Sequence, residues 1–175
     1  MAKRILIVED ETRMLRVLEL QLQGSGYQVA KAESAEQGLE RLNKAQTGDN
    51  GFALVLTDLR LPGMDGLEFL GRVRDRYPSL PVVVMTAFGT VETAVQAMKA
   101  GAGDYVLKPF SLEDLTMTIA KVLELYSLRD ENLKLRAELE RRYDFGHIIG
   151  RSPKMQEIFD AAGRVAPTRT TVLLG

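Results

Sequence analysis

Four short runs of branched and apolar residues, each set off by a helix-period segment, do most to restrict what this chain can fold into. They are Ile5-Leu6-Ile7-Val8, Phe52-Ala53-Leu54-Val55-Leu56-Thr57, Val82-Val83-Val84-Met85 and Tyr105-Val106-Leu107, with a weaker run at Gln28-Val29-Ala30. Short, branched and separated by helical patterns is how buried parallel strands read. Alternation of this kind implies right-handed crossovers and a parallel sheet covered on both faces, a doubly wound α/β fold. The residues that close the runs are Glu9 and Asp10, Asp58, Thr86 and Lys108. In a doubly wound sheet such strand ends share one edge, and ligands bind in the crevice beside it. The pattern therefore predicts one pocket holding three carboxylates, a hydroxyl and an ammonium. Such a pocket suits a divalent cation and a phosphoryl group.

The helical segments between the runs carry their own punctuation. Leu15, Leu18 and Leu22 mark a first helix that stops near Gly24-Ser25-Gly26, where glycine favours termination. Ser34 with Gln37 predicts a capping box for a second helix bearing Leu39 and Leu42. Thr47-Gly48-Asp49-Asn50-Gly51 reads as a loop, and Leu61-Pro62-Gly63-Met64-Asp65-Gly66 as a turn-rich one. A third helix follows with Leu67, Leu70 and Val73, and a fourth with Val91, Ala94, Val95 and Met98 as its apolar face. Ser111 with Asp114 caps a fifth helix, whose buried face is predicted to be Leu115, Ile119 and Val122.

That fifth helix continues. Leu125, Leu128, Asn132, Leu135 and Leu139 follow the 3, 4, 3, 4 spacing of a coiled-coil seam. An amide at the Asn132 position can fix register and strand number, and Glu124 and Glu131 lie five places before Arg129 and Arg136. The spacing predicts a parallel homodimer through this helix. The alternative is a solvated helix whose leucines pack on a neighbouring domain. Past Tyr143, Ser152-Pro153 suggests a helix start, Ile158, Ala161, Ala162 and Val165 one helix face, and Thr170-Thr171-Val172-Leu173-Leu174 a new strand. A domain that opens a strand in its last residues reads as a piece of a larger protein.

Composition excludes several classes. At 175 residues there is room for one well-filled domain and an appendage. A net charge of −1 supplies no basic field for nucleic acid. The absence of cysteine removes disulfides and thiolate metal sites, and agrees with a cytoplasmic protein. Only four apolar residues separate Met1-Ala2-Lys3-Arg4 from Glu9, too few for a signal peptide, and no membrane span is expected.

Three carboxylates at one sheet edge repel one another, and a hard divalent ion resolves the conflict. Mg²⁺ takes oxygen ligands and keeps several waters. Asp10 and Asp58 are the expected direct ligands, with the main-chain carbonyl of Arg60 and with Glu9 acting through water. Asp58 is then the expected nucleophile toward phosphorus. Lys108 and Thr86 would hold phosphoryl oxygens. Taken singly, each residue has a plainer explanation: a helix-capping acid, a strand threonine, a solvated lysine, a half-buried Tyr105. It is their joint placement at the ends of different strands that favours the site. His147 stands alone and reads as structural.

These residues resemble the receiver domain of bacterial two-component response regulators over about residues 3–124. The likeness rests on Glu9-Asp10, on Thr57-Asp58-Leu59-Arg60-Leu61-Pro62-Gly63-Met64-Asp65-Gly66, on Thr86-Ala87, and on Tyr105 with Lys108-Pro109-Phe110. It implies a flavodoxin-like (CheY-like) fold, with Asp58 accepting a phosphoryl group from a sensor histidine kinase. It also implies Mg²⁺ on Glu9 and Asp10, phosphoryl binding and switching by Thr86, Ala87, Lys108 and Tyr105, and a cis Lys108-Pro109 bond, an isomer proline makes accessible. The segments Phe145-Gly146-His147-Ile148-Ile149-Gly150-Arg151-Ser152-Pro153-Lys154-Met155, Val165-Ala166-Pro167-Thr168 and Thr171-Val172-Leu173-Leu174-Gly175 are similar to the opening of the ATPase domain of sigma-54-dependent activators of the NtrC class. Gly175 would begin the phosphate loop, whose lysine is absent, so ATP, sigma-54 polymerase and DNA would be bound by other parts of a parent protein. The expected organisation is a receiver at 1–124, a coiled-coil dimerisation linker at 125–144 and an ATPase fragment at 145–175.

Rival readings remain open. A metal-dependent phosphatase usually has a second acid two places after its nucleophile, where this chain has Arg60. A dinucleotide module needs glycines where Glu9-Asp10-Glu11 stand. A plain dimerisation module would leave the acids without a role.

Overall fold

The computed structural model describes residues 2–45, 51–86, 91–142, 157–158 and 160. Five strands, β1 (Arg4–Val8), β2 (Gln28–Ala32), β3 (Leu54–Asp58), β4 (Val82–Thr86) and β5 (Asp104–Leu107), alternate with α1 (Thr12–Gly24), α2 (Ala35–Ala45), α3 (Gly66–Arg76), α4 (Val91–Lys99) and α5 (Leu112–Arg142). All strand pairs are parallel, in the order β2-β1-β3-β4-β5. The doubly wound five-stranded sheet expected from the sequence is the fold.

Alternation along each strand sorts the side chains into two cores. Ile5, Ile7, Leu54, Leu56, Val83 and Met85 pack with Leu15, Leu18 and Leu22 of α1 and with Leu115, Ile119 and Val122 of α5. Leu6, Val8, Val55, Val82 and Val84 face the other way, onto Leu42 of α2, Phe69, Leu70 and Val73 of α3 and Ala97 of α4. Both faces of the central strands are sealed, as a parallel sheet requires. Each fully buried aliphatic or Phe side chain contributes about 1.5–3 kcal/mol.

Helix starts follow their caps. Ser34 Oγ accepts from Gln37 N at 3.3 Å, while the Gln37 side chain accepts from Glu33 N rather than from Ser34 N. Asp65 accepts from Glu68 N at 2.7 Å, and Ser111 from Asp114 N at 3.0 Å.

Three details depart from the expected pattern. The third strand begins at Leu54, so Phe52 and Ala53 lie before it, Phe52 beneath the Arg4 guanidinium at 4.7 Å. The second strand is longer, reaching Ala32. Among the described side chains of α4, Ala94 and Ala97 are buried, whereas Val95 and Met98 are exposed; the side chain of Val91 lies outside the described residues. Small residues bring that helix close to the sheet, and the larger ones face outward.

The chain divides into two compact units, Met1–Asp130 and Glu131–Gly175, and α5 is continuous through the division. In the first unit, Leu125 and Leu128 are exposed. In the second, Leu133 and Leu135 are exposed, as is Ile158. The side chain of Leu139, most of the loop at 47–51 and the strand expected at 170–174 lie outside the described residues. Among the described residues no helix is long and apolar enough to cross a membrane.

Candidate functional site

Parallel register builds the site step by step. Val8 pairs with Thr57, so Glu9 and Asp58 follow side by side. Asp58 pairs with Met85, which puts Thr86 next, and Thr86 pairs with Leu107, which puts Lys108 next. Main-chain bonds pin the exits: Leu59 N donates to Met85 O at 3.0 Å, and Lys108 N to Thr86 O at 2.7 Å.

The side chains meet on the ammonium. Lys108 Nζ donates to Asp58 Oδ2 at 2.6 Å and to Glu9 Oε2 at 2.7 Å. Glu9 is 2% exposed and Asp58 6%. Charges this sheltered need a partner, and charge-assisted bonds of this length are strong ones. Burial pushes the Glu9 carboxyl above its usual range, with Lys108 pulling in the opposite direction. For Lys108, burial works against the charge, but the bonds and fields of Asp58 and Glu9 outweigh it and hold the ammonium above its usual value.

The remaining expected residues lie around this centre. Arg60 N donates to Asp58 Oδ1 at 2.9 Å, so both Asp58 oxygens are engaged. Thr86 is buried at the end of β4. Asp10 follows Glu9 and is exposed. Tyr105 sits on β5 and is 36% exposed. The Lys108-Pro109 bond is cis. Ala87 lies outside the described residues.

Among the described residues no three acids or histidines are gathered closely enough to hold a metal by themselves. Glu9 and Asp58 turn toward Lys108, while Asp10 is exposed. The donor chemistry nevertheless fits Mg²⁺: two sheltered carboxylates, a third acid next in sequence to one of them, and main-chain carbonyls, all hard oxygens that water can complement.

Two residues important to this architecture were not singled out from the sequence. A Cβ on Gly66 would overlap the carbonyl oxygen of Asp58 and lie 2.6 Å from Leu59 Cα, so glycine lets α3 start against the strand end. Glu36, on α2, reaches the loop after Asp58 and accepts from Met64 N at 3.3 Å. The Gly66 signal was present within the turn-rich run; Glu36 carried none.

Comparison with known proteins identifies the family and the fold. The family described as "Response regulator receiver domain" matches residues 5–120. The transcriptional regulatory protein ZraR of Escherichia coli K12 is 39% identical over 171 residues, covering 97% of this chain and 36% of that protein. The chain thus spans about a third of the length of such curated relatives. A receiver domain protein (CheY-like) of Methanospirillum hungatei superposes with TM-score 0.67 at 32% identity, over 74% of this chain and 99% of that one. NtrX of Brucella abortus gives 0.72 at 32% identity, over 96% of this chain and 36% of that one. The chain belongs to the response regulator receiver domain family.

Proposed function

We propose that Asp58 accepts a phosphoryl group from a sensor histidine kinase in a Mg²⁺-dependent reaction, and that the chain is the regulatory end of a cytoplasmic sigma-54-dependent transcriptional activator. The observation that carries this reading is the Lys108 ammonium shared between Asp58 and Glu9 at the carboxyl edge of the sheet. An Asp58 oxygen attacks phosphorus in line, the bond to the donor's imidazole nitrogen breaks, and that nitrogen keeps the electron pair. Lys108 transfers a hydrogen bond from the carboxylate to a phosphoryl oxygen, so no buried positive charge is left unpaired. Thr86 donates its hydroxyl to another oxygen. Mg²⁺, held by Asp10, Asp58, the Arg60 carbonyl and, through water, Glu9, would offset charge on the moving group. Arg60 stands where a phosphatase would carry its proton-shuttling acid, which favours a persistent acyl phosphate over turnover. The chain is thus a self-phosphorylating switch rather than a multiple-turnover enzyme.

Incubation with acetyl phosphate and Mg²⁺ followed by peptide mass spectrometry tests the reading. One phosphoryl group on Asp58, lost in Asp58→Asn, is the expected result; labelling elsewhere, or none, overturns it.

The output runs through α5. The new acceptor at Thr86 draws in the following loop with Ala87, Tyr105 turns into the space released, and the surfaces of α4 and α5 change. Because α5 runs on into Leu125, Leu128, Asn132, Leu135 and Leu139, the change reaches a homodimer seam. A switch from mostly off to mostly on needs a differential of about 5 kcal/mol between the two states. Solution mass and amide exchange with and without beryllofluoride and Mg²⁺ check the coupling. If the mass and the exchange along α5 both stay unchanged, the coupling does not exist.

A further inference from the structure

We propose that Glu36 is a positioning residue for the phosphoacceptor site, pinning from outside the loop that carries the Arg60 carbonyl. The inference rests on the Asp58 and Mg²⁺ reading above and concerns a residue that touches neither group. The loop leaves Asp58 and returns at Gly66. At its start Arg60 N is held by Asp58 Oδ1 at 2.9 Å, and at its end Gly66 N donates to Leu59 O at 2.8 Å. Those two bonds close the base of the loop. Its far side is Pro62-Gly63-Met64, and there Glu36 Oε1 accepts from Met64 N at 3.3 Å, across 28 residues of sequence.

A second observation supports the same contact. Gly63 has φ +81°, and a Cβ built there would stand 3.2 Å from Glu36 Oε1. Glycine thus supplies both the left-handed turn and the room for the carboxylate to approach. Its own main-chain N–H and the Ser34 hydroxyl hold the Glu36 carboxyl below the usual range, with Met64 N adding to the effect. An acid in the first turn of α2 is also where the helix favours negative charge. Leu61 and Met64 are buried against the α2–α4 side of the sheet, so the pinned loop is also packed.

A carbonyl that must meet a metal gains from being aimed beforehand, since the ordering cost is then met by folding rather than by binding. Glu36 acts as an acceptor at a fixed reach, not as a charge acting at a distance. The distinction yields three variants. Glu36→Gln keeps an oxygen at the same reach, Glu36→Asp keeps the charge but shortens the arm, and Glu36→Ala removes both. Glu36 is exposed, so none of them opens a cavity.

Two measurements decide the matter in the 175-residue chain. The first is the Mg²⁺ midpoint for labelling of Asp58 by acetyl phosphate. The second is amide exchange over residues 59–65 in the Mg²⁺-free protein. In the Ala and Asp variants the midpoint rises roughly two- to tenfold, as loss of one hydrogen bond allows, while the rate at saturating Mg²⁺ is retained. Exchange at Met64 accelerates in the same two variants. Glu36→Gln stays near wild type in both. An unchanged midpoint and exchange in Glu36→Ala, or a Gln variant as impaired as Ala, overturns the proposal. A wild-type chain that takes no phosphoryl group removes the functional reading instead, and the exchange measurement still decides whether Glu36 pins the loop.

Discussion

Between Leu112 and Leu123, α5 buries Leu115, Ile119, Val122 and Leu123 beneath β1, β3 and β4. Beyond that point Leu125 is 42% exposed, Leu128 56%, Leu133 66% and Leu135 52%. One helix therefore has two supports. The first half is held by packing against the sheet and would lose its shape without it. The second has leucines at a coiled-coil spacing and no such covering among the described residues, and helices of this length draw most of their stability from packing rather than from propensity. The difference teaches that the two halves answer to different supports: the sheet in one case and, on the proposed reading, a second copy of the helix in the other.

Substitutions can break that comparison in order of size. Ile119→Ala in the packed half should lower the unfolding free energy by about 2–5 kcal/mol, because it empties a fully buried site; chemical denaturation reads it. Leu128→Ala in the outer half should shift monomer stability by less than about 0.5 kcal/mol, as ordinary surface changes do. It should weaken self-association markedly, which sedimentation measures. If Leu128→Ala costs as much fold stability as Ile119→Ala, the leucines serve the receiver body and the dimer reading is wrong. Asn132→Leu should tighten association while loosening the choice of strand number, since a buried amide specifies register at a cost in stability. Smallest is Glu124→Gln, worth about 0.2–0.5 kcal/mol in association and vanishing at high salt.

Legibility in the sequence followed the same division between periodic and non-periodic information. Leu15, Leu18, Leu22, Leu115, Ile119 and Val122 were readable because a helix facing a sheet must repeat its apolar residues every three or four places. The ends of the strands were readable because each run closes on a polar residue, and topology brings those ends to one edge. On α4 the apolar spacing and the buried face differ. Val95 and Met98 are the more hydrophobic, but closeness to the sheet selected Ala94 and Ala97, and size at a contact is not visible in spacing. Phe52-Ala53 read as strand by composition, yet the strand itself starts at Leu54, with Ala53 N donating to Arg4 O just before it. Glu36 was invisible for a different reason: a lone acid that bonds a main-chain amide 28 residues away leaves no pattern at all.

The register of the sheet has one last consequence. Glu9 follows β1, Asp58 ends β3 and Lys108 follows β5, and the acids lie 99 and 50 positions from the lysine. A slip of one place between β1 and β3, β3 and β4, or β4 and β5 would turn a member of this set to the opposite face. A chain whose β1, β3, β4 and β5 are not all in register therefore cannot present the full constellation. Any chemistry at Asp58 that needs all three groups doubles as an inspection of workmanship: a molecule that passes has its central strands correctly paired, and one that has not paired them stays silent.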